Sequence, residues 1–443
     1  MMKMRTTSFK ALALAAMLVW APSAYSQVLT ADLQMLTQGE VRDGGVTAPN
    51  NDNPELQDRS TYIVGRARLN LDFNMGGLQL YVSPQYTGIW GQKGYGSFHM
   101  YEAWAKYTLR FGGFAQIGRQ ALSYDDQRII GPNDWAMAAV SHDVLKLGYE
   151  GHGHKVHALL AYNQNPENVD GGTAYLDGAQ PYKIMQTLWY HYDVPNISLG
   201  VSLLFMNLGV QADPKIMNKV IYQQMIGTHI TYKPEWGDFS ACYYHQSGRD
   251  YQNIPIDAWM AAVKGVVKTS KTIAVTAGYD ILSGDPFFAV PEDGHLGSGQ
   301  LQVVQRDKIR GFTTLYGSHH KFYGMMEFFY VDTYYRGFSP GLQNAYLGGD
   351  FTLWEKLNLS ATYHYLATVT KLTDLKKTLG HCIELSATYN FNKYISLSGG
   401  FSFMKGTETM IRLKRQKDDK GLRWGWITLV ISPRILNANM KKQ

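Results

Sequence analysis

Charged and polar side chains at every second position are the first feature of this sequence with chemical content. Arg66 and Arg68 are followed at the same spacing by Asn70 and Asp72, and Glu102, Trp104, Lys106, Thr108 and Arg110 repeat the pattern further along. In an extended chain, residues two apart share one face, so Arg66, Arg68, Glu102, Lys106 and Arg110 are predicted on a common side. On the inner wall of a closed sheet, fixed charges of this kind concentrate ions of opposite sign. The bland alternative is a salt-bridge network that only stiffens the wall, with Asp72, Glu102, Asp125 and Asp126 as the available acids.

Other chemistry is harder to find. The chain has no Gly-x-Ser-x-Gly, no His-Glu-x-x-His and no phosphate-binding Gly-Lys-Ser/Thr, so an enzyme is not expected and no catalytic residue is assigned. The glycine-rich stretch Gly294 to Gly299 has no strand before it and no helix after it, which argues against a nucleotide site. Asp125-Asp126 could ligate calcium, but beside Arg128 two adjacent acids are more often ion-paired. His152, His154 and His157 flank the predicted turn Gly151-His152-Gly153-His154, which scatters them, so no metal is expected. His319-His320 has the same standing. Cys242 and Cys382 each lie inside an alternating segment and suggest neither a disulfide framework nor a metal site. No cofactor is implied.

The N-terminus reads as an export signal. Lys3, Arg5 and Lys10 are basic, Ala11 to Trp20 is apolar, and Ala24-Tyr25-Ser26 offers a small-x-small cleavage site. Cleavage before Gln27 would leave 27–443 as a single domain, and signal residues 1–26 carry three of the basic charges. Subtracting those three from the net charge of +6 leaves about +3, which implies no nucleic-acid partner. The apolar run is roughly half the ~20 residues of a spanning helix. No linker divides the rest, and 44 Gly and 30 Tyr against 15 Pro suit a large sheet with aromatic anchors.

The elements that would carry these residues are strands. Ile63, Gly65, Ala67, Leu69, Leu71 and Phe73 alternate with the charged set around Arg66, and Leu78 to Trp90 and Tyr101 to Arg110 alternate likewise. So do the segments 357–365, 383–391 and 395–403. The last two are separated only by Asn392-Lys393-Tyr394, which requires an antiparallel hairpin, and Gly76-Gly77 and Gly112-Gly113 read as similar turns. Further strands are predicted near 28–38, 113–120, 142–150, 154–164, 182–193, 196–208, 220–233, 237–247, 254–266, 270–282, 341–353 and 423–434. The total of about eighteen suits an antiparallel transmembrane barrel, apolar outside and polar inside. Tyr62, Trp90, Tyr101, Tyr365 and Trp424 are predicted for its aromatic girdles. Long loops are expected at 125–141, 167–181, 209–220, 283–307 and 405–420. Segment 305–339 alternates poorly and is predicted to be a lid or plug in the lumen or over its mouth.

From Ala115 the chain reads AQIGRQALSYDDQRIIGPNDWAMAAVSHD, and Phe312 to Phe329 reads FTTLYGSHHKFYGMMEFF. Gly118-Arg119-Gln120, Tyr124, Asp125, Arg128, Gly131, Trp135 and Asp143, with the later His-Lys-Phe-Tyr-Gly, resemble the motifs of the alginate-export family of outer-membrane barrels. The resemblance implies an eighteen-stranded barrel in the bacterial outer membrane, with an arginine-lined constriction that passes an anionic uronic-acid polymer. It adds Arg119, Asp125 and Arg128 to the expected pore-lining residues. The C-terminal Met440-Lys441-Lys442-Gln443 departs from the aromatic ending common in such barrels. The expected role is a passive porin for polar, anionic solutes such as acidic sugars or oligosaccharides, with outer-membrane lipid as its surroundings and its oligomeric state open. The alternative is a plugged structural or adhesive barrel acting through its long loops.

Overall fold

The computed structural model describes residues 27–43, 59–94, 96–164, 182–212, 219–285, 307–326, 339–372, 375–414 and 421–440. The export signal, the loop at 167–181 and Gly294 to Gly299 lie outside the described residues.

The alternating segments form β1 (Gln27–Asp43), β2 (Arg59–Met75), β3 (Leu78–Ile89), β4 (Ser97–Thr108), β5 (Gly113–Gln120), β6 (His142–Gly151), β7 (His154–Tyr162), β8 (Ile184–Val194) and β9 (Leu199–Gln211). They continue as β10 (Val220–Tyr232), β11 (Gly237–Arg249), β12 (Pro255–Lys268), β13 (Ile273–Leu282), β14 (Leu342–Leu353), β15 (Leu357–Ala367), β16 (Thr378–Asn390), β17 (Ile395–Gly406), β18 (Leu422–Ile431) and β19 (Arg434–Met440). Each pairs antiparallel with its sequence neighbours, β18 and β19 excepted. β1 pairs with β2 along one edge and with both β18 and β19 along the other, which closes the sheet. β18 and β19 are one strand interrupted at Ser432-Pro433, because proline has no N–H for the ladder. The result is a closed antiparallel barrel of eighteen strands. Its last strand runs to Met440, beyond the predicted 423–434.

Closure leaves no unpaired strand edge, so every backbone group is satisfied where no water is available. Outward positions are apolar and exposed, among them Ile117, Leu188, Ile226, Leu347 and Ile427, while Ser83, Gln85, Ser202 and Thr428 are buried on the inner face.

The predicted girdle needs correcting. Trp90 and Tyr365 are exposed, but Tyr62, Tyr101 and Trp424 face inward. Opposite β3, Ser83 pairs with Glu102 and Pro84 with Met100, so Tyr101 is the extra residue of a bulge. The bulge turns its ring inward, 3.7 Å beneath the Arg68 guanidinium. Tyr62 Oη and Trp424 Nε1 both donate to Glu40 Oε2, at 2.9 Å each.

Tight turns such as Gly76-Gly77, 109–112 and His152-Gly153 cluster on one rim, and the long connections rise from the other. The predicted loop at 405–420 contains a short helix, α1 (Glu408–Lys414), that packs Met410 and Leu413 inward. Two long connections, 121–141 between β5 and β6 and the 307–326 part of the β13–β14 segment, fold into the barrel. Leu122, Tyr124, Ile130, Phe312 and Tyr316 from these loops join one apolar cluster with the inner faces of β6 to β18, including Leu159, Met185, Met206, Met260, Leu282 and Trp424.

Candidate functional site: a plugged lumen

The two infolded loops are held to each other by backbone. Tyr316 N donates to Ile129 O at 3.0 Å, Gly131 N to Tyr316 O at 2.8 Å and Ser318 N to Gln127 O at 2.9 Å, a short parallel bridge between segments far apart in sequence. Trp135 of the first loop stacks on His320 of the second at 3.7 Å, and both rings meet Trp424 of β18 edge-on. The loops therefore dock as one body, and apolar packing attaches that body to the wall from β6 round to β18.

Charge attaches the body elsewhere. On β2, Arg66 and Arg68 point inward and converge on Asp134 of the first loop. Arg66 Nη1 and Nη2 reach its two carboxylate oxygens at 3.2 Å each, and Arg68 Nη1 reaches Oδ1 at 3.1 Å. Gln34 and Gln85 accept from the same guanidinium groups, and Gln85 also donates to Met137 O and Ala138 O.

Arg128 anchors the centre. It is buried, donates from Nη1 to Asp280 Oδ1 on β13 and to Tyr323 Oη, and from Nε to Asp126 Oδ2. Phe322 lies 4.2 Å from its guanidinium. Burial alone favours the neutral form, but Tyr323, Asp280 and Asp126 outweigh it and hold the pKa well above the usual arginine value. Beyond Asp280 the polar chain continues along the wall: Asn344 Nδ2 donates to Asp280 Oδ2, His364 Nδ1 meets Asn344 Oδ1 at 2.9 Å, and Glu384 lies 3.4 Å from His364 Nε2. Glu384 Oε1 then accepts from Met325 N of the second loop.

The remaining expected residues are spread differently. Glu102 accepts from Trp104 Nε1 and from Ala121 N, fixing the start of the first loop. Asp125 accepts from Trp189 Nε1 and Tyr244 Oη on the opposite wall. Lys106 projects inward beside Phe114, its Nζ 4.2 Å from the ring centroid, and Lys146 approaches the same ring at 5.9 Å. Neither lysine has an ion-pair or hydrogen-bond partner among the described residues.

Two residues do not line the lumen. Arg110 lies in the exposed 109–112 turn, where the strand has ended and alternation no longer applies. Arg119 shares the outward face of β5 with Ile117 and forms a two-pronged, part-exposed pair with Asp143 at 2.9 and 2.7 Å. Asp134, Asp280, His364 and Glu384 were not singled out from the sequence. The last three occupy inward positions of alternating strands, a signal that was present, whereas the reach of Asp134 to β2 depends on the loop folding in. Among the described residues no group of three His, Cys, Asp or Glu could hold a metal ion. His157 is engaged by Tyr124 and Glu150.

Below the plug, toward the tight-turn rim, lies a cavity of about 590 Å³. Arg128, Lys264, Lys321, Asp350 and Glu384 are among its lining residues.

The sequence profile of the alginate-export family matches residues 95–380. No functionally curated protein matches the sequence. Among solved structures, the barrel is similar to a BenF-like porin from Pseudomonas fluorescens Pf-5, with a TM-score of 0.62 and 11% identity, covering 92% of this chain and 99% of that one. It is similar to Pseudomonas aeruginosa OccK2 in complex with glucuronate, with a TM-score of 0.59, 12% identity and coverage of 92% and 98%. Acinetobacter baumannii OccAB1 gives a TM-score of 0.59 at 10% identity, with coverage of 92% and 97%.

Proposed function

The chain belongs to the alginate-export family, and from that premise we propose that it passes polar anionic solutes, acidic sugars or oligosaccharides up to a uronic-acid polymer, along the basic wall beside its plug. Its fold is that of an outer-membrane porin, a channel rather than an enzyme.

The observation that carries the finer reading is the charge on the wall from β2 to β6. Arg66 and Arg68 share the single carboxylate of Asp134, and Lys106 and Lys146 have no acid within ion-pair distance among the described residues. Among the described residues the apolar cluster has no member from β2 to β5, and beside a low-dielectric wall the attraction of such cations for anions is strengthened. The solved OccK2 complex holds glucuronate, an acidic sugar of the class proposed here.

Current through the refolded protein in a planar bilayer under a salt gradient tests this. An anion-biased reversal potential that shifts toward cations in a Lys106→Ala, Lys146→Ala double variant is the expected result. A cation bias in the unmodified protein would overturn it.

The second reading, a plugged structural or adhesive barrel, is favoured by the backbone bridge between the two loops. It predicts no channel steps in the intact protein and steps only after deletion of 312–329.

A further inference from the structure

Asp134 is itself a carboxylate seated where a solute carboxylate would be recognised. Arg66 and Arg68 are buried, while the Asp134 side chain is 46% exposed, so the chain's own anion can be approached from water. Two guanidinium groups face one carboxylate, and two of their donors, Arg66 Nε and Arg68 Nη2, are buried without a hydrogen-bond partner. Unmet buried donors are costly, and they mark capacity for more acceptor oxygen than Asp134 supplies. The cations are also fixed independently of Asp134: Gln34 holds Arg66 at 2.9 Å, Gln85 holds Arg68 at 2.7 Å, and Tyr101 lies beneath the Arg68 plane. A site prepared in this way loses little on exchange of its anion.

We propose that Arg66 and Arg68 form a binding site for the carboxylate of an acidic sugar, that Asp134 occupies this site at rest, and that an arriving carboxylate displaces it. Exchange would remove the three side-chain bonds that tie Asp134 to β2, leaving the segment from Asn133 to Ala138 held to β2 and β3 by its backbone bonds to Arg66 and Gln85 alone, and so loosen Trp135, whose stack on His320 joins the two loops. The solute then loosens the plug beside its own path. This rests on the anionic-solute reading above.

The test is titration of the refolded full-length protein with sodium glucuronate, with glucose as the neutral control. A tethered group competes at an effective concentration on the order of millimolar, so removing it is expected to tighten weak carboxylate binding about tenfold. Asp134→Ala should show that gain, and Asp134→Asn should show it too, with the loop's shape kept. Arg66→Ala with Arg68→Ala should abolish binding. Glucuronate, but not glucose, should change the tryptophan fluorescence of the unmodified protein, and Trp135→Phe should remove the change. Equal affinity with and without the Asp134 carboxylate, or binding that survives loss of both arginines, overturns the proposal. Bilayer selectivity separates it from the transport reading. If the affinity gain appears without anion bias, the site stands and the transport reading falls. If anion bias appears without the gain, the site alone falls.

Discussion

Arg128, on the loop between β5 and β6, donates to Asp280 of β13 at 3.0 Å, and side-chain exposures of 4% and 3% make this a fully enclosed ion pair across the lumen. The pair fixes the centre of the plug to β13, a strand that also adds Leu282 to the apolar cluster.

Breaking it from one side should therefore release the plug. Asp280→Ala leaves Arg128 with Asp126 as its one carboxylate partner among the described residues, beside the Tyr323 hydroxyl, and Asn344 Nδ2 without its acceptor. Removing one partner of a buried pair typically costs about 3–5 kcal/mol. The expected outcome is higher conductance and faster proteolysis within 121–141, with the barrel's heat-modifiable migration unchanged. Arg128→Met with Asp280→Leu removes both charges and should recover most of the docking. An Asp280→Ala channel indistinguishable from the parent would remove Arg128 from the anchor.

Arg119 makes the opposite prediction. Its pair with Asp143 lies on the outer face, part-exposed, where such pairs contribute about 0–1 kcal/mol. Arg119→Ala should leave the reversal potential under a salt gradient where it was, and a shift toward cations would place the side chain's charge in the conduction path after all.

The contrast between Arg119 and Arg66 shows what the sequence could reveal. Period-two alternation located the strands and put Arg66, Arg68, Glu102 and Lys106 inward, because in a barrel the pleat alone decides the face. The same rule places Arg119 outward beside Ile117, and a motif match had no bearing on it. Tyr101 escaped because one bulged residue reverses the parity at that point. Trp424 and Tyr62 escaped for another reason: aromatic residues near strand ends serve either face, and only the burial of Glu40 between them decides which. The infolded part of the second loop, 307–326, lies within the poorly alternating stretch at 305–339. That the 121–141 loop joins it was not legible, since its contacts to β2, β8, β11 and β13 are all long-range.

Glu384 offers a graded test of the second loop. Its Oε1 accepts the Met325 backbone N–H while the other oxygen faces His364. Glu384→Gln keeps an acceptor for Met325, whereas Glu384→Ala strands that donor and the histidine. A buried unsatisfied group costs about 1–3 kcal/mol, so the alanine variant should lose amide-exchange protection at Met325 by roughly five- to a hundredfold more than the glutamine variant. Equal protection in both would show that Met325 is held by packing alone.

Gly131 concerns the bridge between the loops directly. Its N–H donates to Tyr316 O, and a Cβ at this position would run into Ser318 Oγ and lie 2.8 Å from Gln127 Cβ. Ser318 cannot simply yield, because its hydroxyl also accepts from Asn133 N and donates to Gln127 Oε1 at 3.1 Å each. The glycine of the motif is therefore needed for close approach of two chain segments rather than for an unusual backbone angle. Gly131→Ala should separate the loops while leaving Arg128–Asp280 and Asp134–Arg66 intact, since those contacts lie on the far sides of the first loop. The expected signature is loss of the Trp135–His320 stack, read as a tryptophan emission change that a Trp135→Phe background lacks, together with rare, brief channel openings instead of a steadily open pore. A steadily open pore would mean that the loop-to-loop bridge, and not the anchors to the wall, is what keeps the plug in place.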